Sequence, residues 1–298
     1  MKRCLYCMSD MAENDEFCAV CGWSGEDNEA GCLPVGFILQ RRYIIGACRR
    51  IRSADIQYIA WDALFSQKVF VMEYFPEQIA GRLSDGQVQA EEKDRELLKQ
   101  GIRCFLHEKD KLILMDGIHG LLNVLAGFEE NNTAYMVLEY PGDRTLTEVL
   151  EEEGPWNLIK AKKLLKNLVS PLAAAYQSGI LHGQLSADCC YLTAQGNFKV
   201  GFFNEALFVT DRDPDYQEKK AQQSIDCFEL AHIVGAALVG MDVWQNQLVD
   251  DSLEMLEGKL PECALETLVD ALNADFSYRI YSPKQFLDRF LDEVTVEL

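Results

Sequence analysis

Residues 179–193 read GILHGQLSADCCYLT, and after a short polar turn the chain continues as Phe198-Lys199-Val200-Gly201-Phe202-Phe203-Asn204. Two short β-like runs, Cys190–Thr193 and Phe198–Val200, flank Gln195-Gly196-Asn197, a turn-forming triplet. Upstream, Leu164, Leu165, Leu168, Leu172 and Tyr176 fall on one face at helical spacing. Downstream, helices are expected near 224–240, 246–257, 261–273 and 282–292, the last with Ser282 at its N-cap and Pro283 at its first position.

The chain before Pro141-Gly142 has a different character. Tyr43–Ile45, Tyr58–Trp61, Val69–Met72, Val124–Phe128 and Ala134–Glu139 are rich in β-branched and aromatic residues and read as strands, with Glu129–Asn132 as a turn. One helix interrupts them from 91 to about 115, where Leu98, Ile102, Phe105 and Leu112 share a face. A β-rich half followed by an α-rich half predicts an α+β architecture.

These stretches carry a family resemblance. LPVGFILQRRYIIG (33–46), YIAWD (58–62), EYFP (73–76), CFLHEKDKL (104–112), FEENNTAYMVLEY (128–140), GILHGQLSADCCYLT (179–193) and SPKQFLDRF (282–290) resemble a bacterial serine/threonine protein kinase family whose members often begin with a zinc ribbon. The resemblance implies a two-lobed protein-kinase-like fold over 36–298, with an N-lobe of five strands and one regulatory helix at 36–141 and a helical C-lobe at 142–298. It places ATP between the lobes.

Phosphoryl transfer depends on a lysine at the phosphates, carboxylates on Mg²⁺ and an aspartate for the hydroxyl proton. Against the family pattern, the three glycines of the phosphate loop fall at Arg50, Arg52 and Asp55, and the lysine position holds Met72. Phe70 replaces the small residue that touches adenine, with Leu138 also expected beside that ring. Gln184 stands at the catalytic base, Cys189 at the metal-binding asparagine and Phe202 at the metal-binding aspartate. Only about ten residues separate Asn204 from Asp213-Pro214-Asp215, so the activation segment is expected to be shortened. The positions with packing roles persist: Glu108 on the regulatory helix, His182, and Asp226, which would brace the catalytic loop.

The resemblance therefore implies a pseudokinase, a regulatory or scaffolding protein, with ATP and Mg²⁺ not expected to bind. Two other readings carry different expectations. An atypical ATP-dependent kinase would rebuild its site from carboxylates such as Glu108, Asp188, Glu205, Asp211 and Asp213. A small-molecule or nucleotide sensor would use the same cleft without turnover.

The first 24 residues carry Cys4-x-x-Cys7 and Cys18-x-x-Cys21. Two such pairs match a tetrahedral four-thiolate zinc site, which is closed and structural. Residues 25–35, polar and glycine-containing, are expected to link this ribbon to the main domain.

The chain's 298 residues carry 28 Lys and Arg against 48 Asp and Glu, a net charge of −20. That surface repels phosphate backbones and disfavours nucleic acid as a partner. Against this background Arg41, Arg42, Arg49, Arg50 and Arg52 form a basic cluster, read either as a solvated strand face or as a docking patch for an acidic protein. Lys2 and Arg3 are followed by cysteines rather than an apolar run, so no secretory signal is expected, and no stretch is long enough to span a bilayer. A cytoplasmic, reducing location follows, with the 11 cysteines as thiols or metal ligands and Cys189-Cys190 in the core.

Overall fold

The computed structural model describes residues 2–204, 216–273, 275 and 279–291. Its strands are β1 (Lys2–Arg3), β2 (Asp10–Met11), β3 (Ile38–Leu39), β4 (Tyr43–Ile51), β5 (Asp55–Asp62), β6 (Gln67–Tyr74), β7 (Ala80–Arg82), β8 (Val88–Ala90), β9 (Val124–Glu130), β10 (Thr133–Glu139), β11 (Cys190–Leu192) and β12 (Phe198–Val200). Its helices are α1 (Arg95–Ile113), α2 (Leu146–Glu153), α3 (Leu158–Gln177), α4 (Tyr216–Val239), α5 (Met241–Asn246), α6 (Val249–Glu254), α7 (Glu262–Leu272) and α8 (Pro283–Leu291).

Contacts divide the chain into two compact units. The first comprises Met1–Leu114 and Asn123–Tyr140 together with Asn204. Its centre is an antiparallel sheet in the order β3-β4-β5-β6-β10-β9. The sheet thus has six strands among the described residues, one more than expected, because Ile38–Leu39 adds a short edge. Asn131 and Asn132, with φ of 53° and 58°, make the left-handed turn that joins β9 to β10. Helix α1 buries Leu98, Ile102, Phe105 and Leu112 as its spacing predicts, and Glu108 lies on the same buried face. Gly101 lets it approach the sheet, since a methyl there would meet the Tyr74 hydroxyl at 1.9 Å.

A buried carboxylate organises the sheet. Glu73 is fully enclosed and accepts hydrogen bonds from Tyr58 Oη (2.9 Å) and Tyr135 Oη (2.8 Å) while pairing with Arg82. Arg82 also donates to Gly31 O, and Leu33 N–H donates to Tyr58 Oη. The same stretch is held by Asn28, whose side chain donates to Leu33 O and Gly46 O and accepts from Cys48 N–H. Residues 25–35 are therefore tied to the sheet at several points. Burial of such polar groups is tolerated because each finds a partner.

The second unit comprises Met115–Leu122, Pro141–Phe203 and the C-terminal helices. Its core is α3, which buries Leu164, Leu165, Leu168 and Leu172 and packs against β12, α4 and α8. Ser282 Oγ accepts from Gln285 N–H at the start of α8, and Phe286 and Phe290 are fully buried. The expected helix at 246–257 is the shorter α6, Val249–Glu254, and a separate helix, α5, precedes it, with Gln247 and Leu248 in extended conformation between the two. Trp244 fixes the first piece: its ring lies so close to Gly235 that a methyl there would sit 2.2 Å away, and its Nε1–H donates to His232 Nδ1.

Candidate functional site

The β4–β5 hairpin carries Arg50, Arg52 and Asp55, the residues expected from the resemblance at the phosphate loop. Asp55 is fully buried, and its carboxylate receives Arg52 Nε at 3.0 Å to both oxygens, Gln57 Nε2 at 3.0 Å and Asn204 Nδ2 at 3.1 Å. Arg52 N–H also donates to Asp55 O across the turn. An internal ion pair with two amide donors thus occupies the hairpin tip.

The register β5–β6–β10 places Ile59 opposite Phe70 and Phe70 opposite Leu138, with Gln57 opposite Met72. Residues two apart in a strand share a face, so Gln57, Ile59, Phe70, Met72 and Leu138 project together. All five are buried, Met72 completely. The Phe70 ring lies 5.1 Å from that of Tyr140, tilted by 57°.

In the second unit, His182 N–H and Gly183 N–H donate to the two carboxylate oxygens of Asp226 at 2.8 and 2.9 Å. The His182 ring pairs with Gly201 O through Nε2 and packs 4.5 Å from Phe203. Gln184, which the resemblance puts at the base position, is half-buried. Cys189 is fully buried, with its Sγ 3.5 Å from Gln184 O and from Ser186 Oγ. Cys190 is also enclosed, and burial pushes its thiol well above the ordinary range, which suits a core role. Phe202 has a left-handed backbone, φ 64°, and its ring is buried 5.8 Å from Tyr191. A bulky residue in that region carries strain, which the surrounding packing sustains. Glu205, Asp211 and Asp213, and the segment from 205 to 215, lie outside the described residues.

The four ribbon cysteines converge, with ligand sulfurs all within 4.8 Å of one another. Cys4 and Cys21 sulfurs are 3.7 Å apart, as are those of Cys7 and Cys18. Zn–S bonds of about 2.3 Å in a tetrahedron require S···S separations of about 3.8 Å, so the donor set fits zinc. Each pair has the same turn. Met8 N–H donates to Cys4 O and Gly22 N–H to Cys18 O, with Met8 and Gly22 both left-handed. Among the described residues this is the one His, Cys, Asp or Glu cluster of metal-binding geometry.

The arginine cluster is not one surface. Arg52 is buried in its pair with Asp55 and is corrected from a docking residue to a core residue. Arg42 is bound to Asp62 through two hydrogen bonds of 2.8 and 2.7 Å, which hold the Asp62 carboxyl below its usual range. Arg50 is half-buried, and Arg41 and Arg49 are exposed.

With this geometry in place, comparison with solved structures decides the architecture. The apo form of PpkA-294 superposes with a TM-score of 0.65 at 21% identity, covering 88% of this chain and all of that one. The chain has a protein-kinase-like fold. Rad53 1–466 in complex with AMP-PNP shares this kinase-like fold at TM-score 0.59 and 11% identity, over 83% of this chain and 64% of its own. In sequence, human protein kinase C delta type is 22% identical over 199 residues, 62% of this chain and 29% of that protein. The serine/threonine-protein kinase PrkC of Bacillus subtilis is 32% identical over 82 residues, 28% of this chain and 13% of that protein. The chain thus spans under a third of the length of these curated relatives. No family model matches it.

The sequence reading missed two features. Glu73 and its phenol partners were hidden in an apolar strand pattern. The contact between the ribbon and the sheet was hidden as well, although a glycine inside a strand, as Gly46 is in β4, is a signal of close backbone approach.

Proposed function

We propose that the chain is a pseudokinase: a regulatory or scaffolding protein on a kinase-like scaffold, carrying a structural zinc ribbon. The observation behind this reading is the burial of the residues at the degenerate positions. Met72, Cys189 and Phe202 are 0%, 0% and 1% exposed. They are packed parts of the core rather than open positions into which a cation or phosphate could settle. The Arg52–Asp55 pair adds that the hairpin tip is already filled by its own charges. Loss of several charge-assisted contacts, each worth ~1.5–3 kcal/mol, takes a micromolar nucleotide site beyond the millimolar range.

Zinc at Cys4, Cys7, Cys18 and Cys21 has a folding role, because a segment this small cannot be stabilised by burial alone. The partner would be a protein, with exposed Arg41 and Arg49 as the remaining cationic part of the docking patch. A cytoplasmic setting suits the free cysteines, and no described helix is long and apolar enough to cross a membrane.

The test is a thermal melt with and without Mg-ATP. A ligand that binds only the folded state raises stability by RT ln(1 + [L]/Kd). No shift is expected at millimolar nucleotide. A reproducible shift of several degrees would replace this reading with a nucleotide sensor, and metal-dependent turnover of labelled ATP with an atypical kinase.

A further inference from the structure

The first cysteine knuckle does more than hold a metal. Tyr6, between ligands Cys4 and Cys7, accepts a hydrogen bond through its carbonyl from Ala47 N–H at 2.7 Å. Ala47 lies where the β4–β5 pairing is irregular, so this amide is given to the ribbon instead of to a neighbouring strand. Met8, immediately after Cys7, is completely buried in a socket formed by Ala47 and Ile59, with Ile44, Trp61 and Tyr140 around it. At the adjacent Gly46 a methyl would lie 2.4 Å from Tyr6 O and 2.8 Å from Met8 Cε, so only glycine permits the approach. Two further contacts border the socket: the Arg3 guanidinium lies 3.3 Å from the centre of the Trp61 ring, and Lys68 Nζ donates to Ser9 Oγ.

Ile59 is the cross-strand partner of Phe70, so Met8 presses on the sheet face from which Phe70 and Met72 also project. Both engaging groups, the Tyr6 carbonyl and the Met8 side chain, sit on the turn whose shape is set by Cys4 and Cys7 as ligands. Without metal that turn keeps only its own hydrogen bonds, such as Met8 N–H to Cys4 O, and loses the ligand bonds that tie it to Cys18 and Cys21, since a two-pair ribbon folds with its ion. We propose that metal binding by Cys4, Cys7, Cys18 and Cys21 latches the ribbon as a cap on this sheet face, and that metal loss withdraws Met8 and uncovers the apolar strip of Ala47, Ile59, Trp61 and Tyr140. The ribbon is then a metal-dependent gate over the sheet. This holds whether or not the chain binds nucleotide.

The test reads amide hydrogen exchange of the full chain, zinc-loaded and then stripped with a chelator under reducing conditions. Ala47 N–H reports the latch directly. Its exchange is expected to accelerate by about tenfold or more on stripping, with β11 and β12 unchanged, as for opening of one local unit. Zinc alone, added back, restores protection. Gly46→Ala is expected to keep one equivalent of zinc while Ala47 exchanges as in stripped protein. If circular dichroism shows that this variant does not fold, Met8→Ala removes the plug without touching the sheet and should give the same split between retained zinc and lost protection. Unchanged protection of Ala47 after stripping would overturn the gate. So would equal acceleration in β11 and β12, which means global unfolding rather than uncapping.

Discussion

Arg52 and Asp55 form an ion pair at 2.9 Å with side chains 6% and 0% exposed, at the tip of the β4–β5 hairpin. Two charges removed from water hold each other in place, and neither tolerates loss of the other. Arg52→Ala is therefore expected to cost about 3–5 kcal/mol, the range for breaking a buried pair. Replacing both residues together by apolar side chains of similar volume should recover only part of that loss, because the Gln57 and Asn204 amides lose their shared acceptor. Denaturant unfolding of each single replacement at 52 and at 55 and of the double replacement measures it as a coupling energy.

Met72→Lys supplies the lysine that the kinase resemblance leads one to expect at this position, and under the proposed function it is expected to give no phosphate transfer. Groups that act as a unit lose function together, and repairing one recovers little. Here the new ammonium would enter a site with no exposure, opposite Gln57. Desolvation disfavours its charged form and lowers stability. A labelled-ATP assay should stay at background while the melting temperature falls. Clear turnover would show that the remaining positions suffice.

Much of this was legible in the sequence because it lies in periodicity and spacing. Leu98, Ile102, Phe105 and Leu112 gave α1 by their spacing, and the two Cys-x-x-Cys pairs gave a cluster whose sulfurs converge. Helix α2 is announced in the sequence by Thr145 and Glu148, which spell a capping box that the structure forms in full. The ribbon's docking was not legible. It rests on one carbonyl, one methionine and the absent side chain of Gly46, and their meeting is a tertiary event with no periodic trace. The same holds for Asn204, which reaches Asp55 from 149 residues away.

Asp226 holds two consecutive amides, those of His182 and Gly183, with one oxygen each. Asp226→Asn keeps one acceptor and turns an NH₂ toward the other amide. Hydrogen bonds to a charged group contribute ~1.5–3 kcal/mol, and a loss of that size is expected in denaturant unfolding. Exchange at the His182 and Gly183 amides should rise more than at β10 in the first unit. Uniform acceleration everywhere would assign Asp226 to general core packing instead of to this loop.

Glu229 sets a pH dependence whose sign follows from its surroundings. Burial, and then the charge of Asp226, push its carboxyl up from 4.5 to about 7, with Arg279 opposing. Between those values the folded chain holds a proton that the unfolded chain has released, so stability falls as pH rises through this window. Below about 4.5 the contribution is complete, and above about 7 it is lost. A shift of 7 against 4.5 corresponds to at most about 3 kcal/mol at 1.36 kcal/mol per unit, and partial exposure of Glu229 reduces it. Glu229→Gln keeps the neutral hydrogen-bonding shape at every pH. It is expected to match the parent chain near pH 4.5 and to exceed it near pH 8, by up to that amount. Denaturant midpoints at the two pH values measure the difference. An equal offset at both would place the effect in packing around Phe228 and His232 and remove Glu229 as the titrating group.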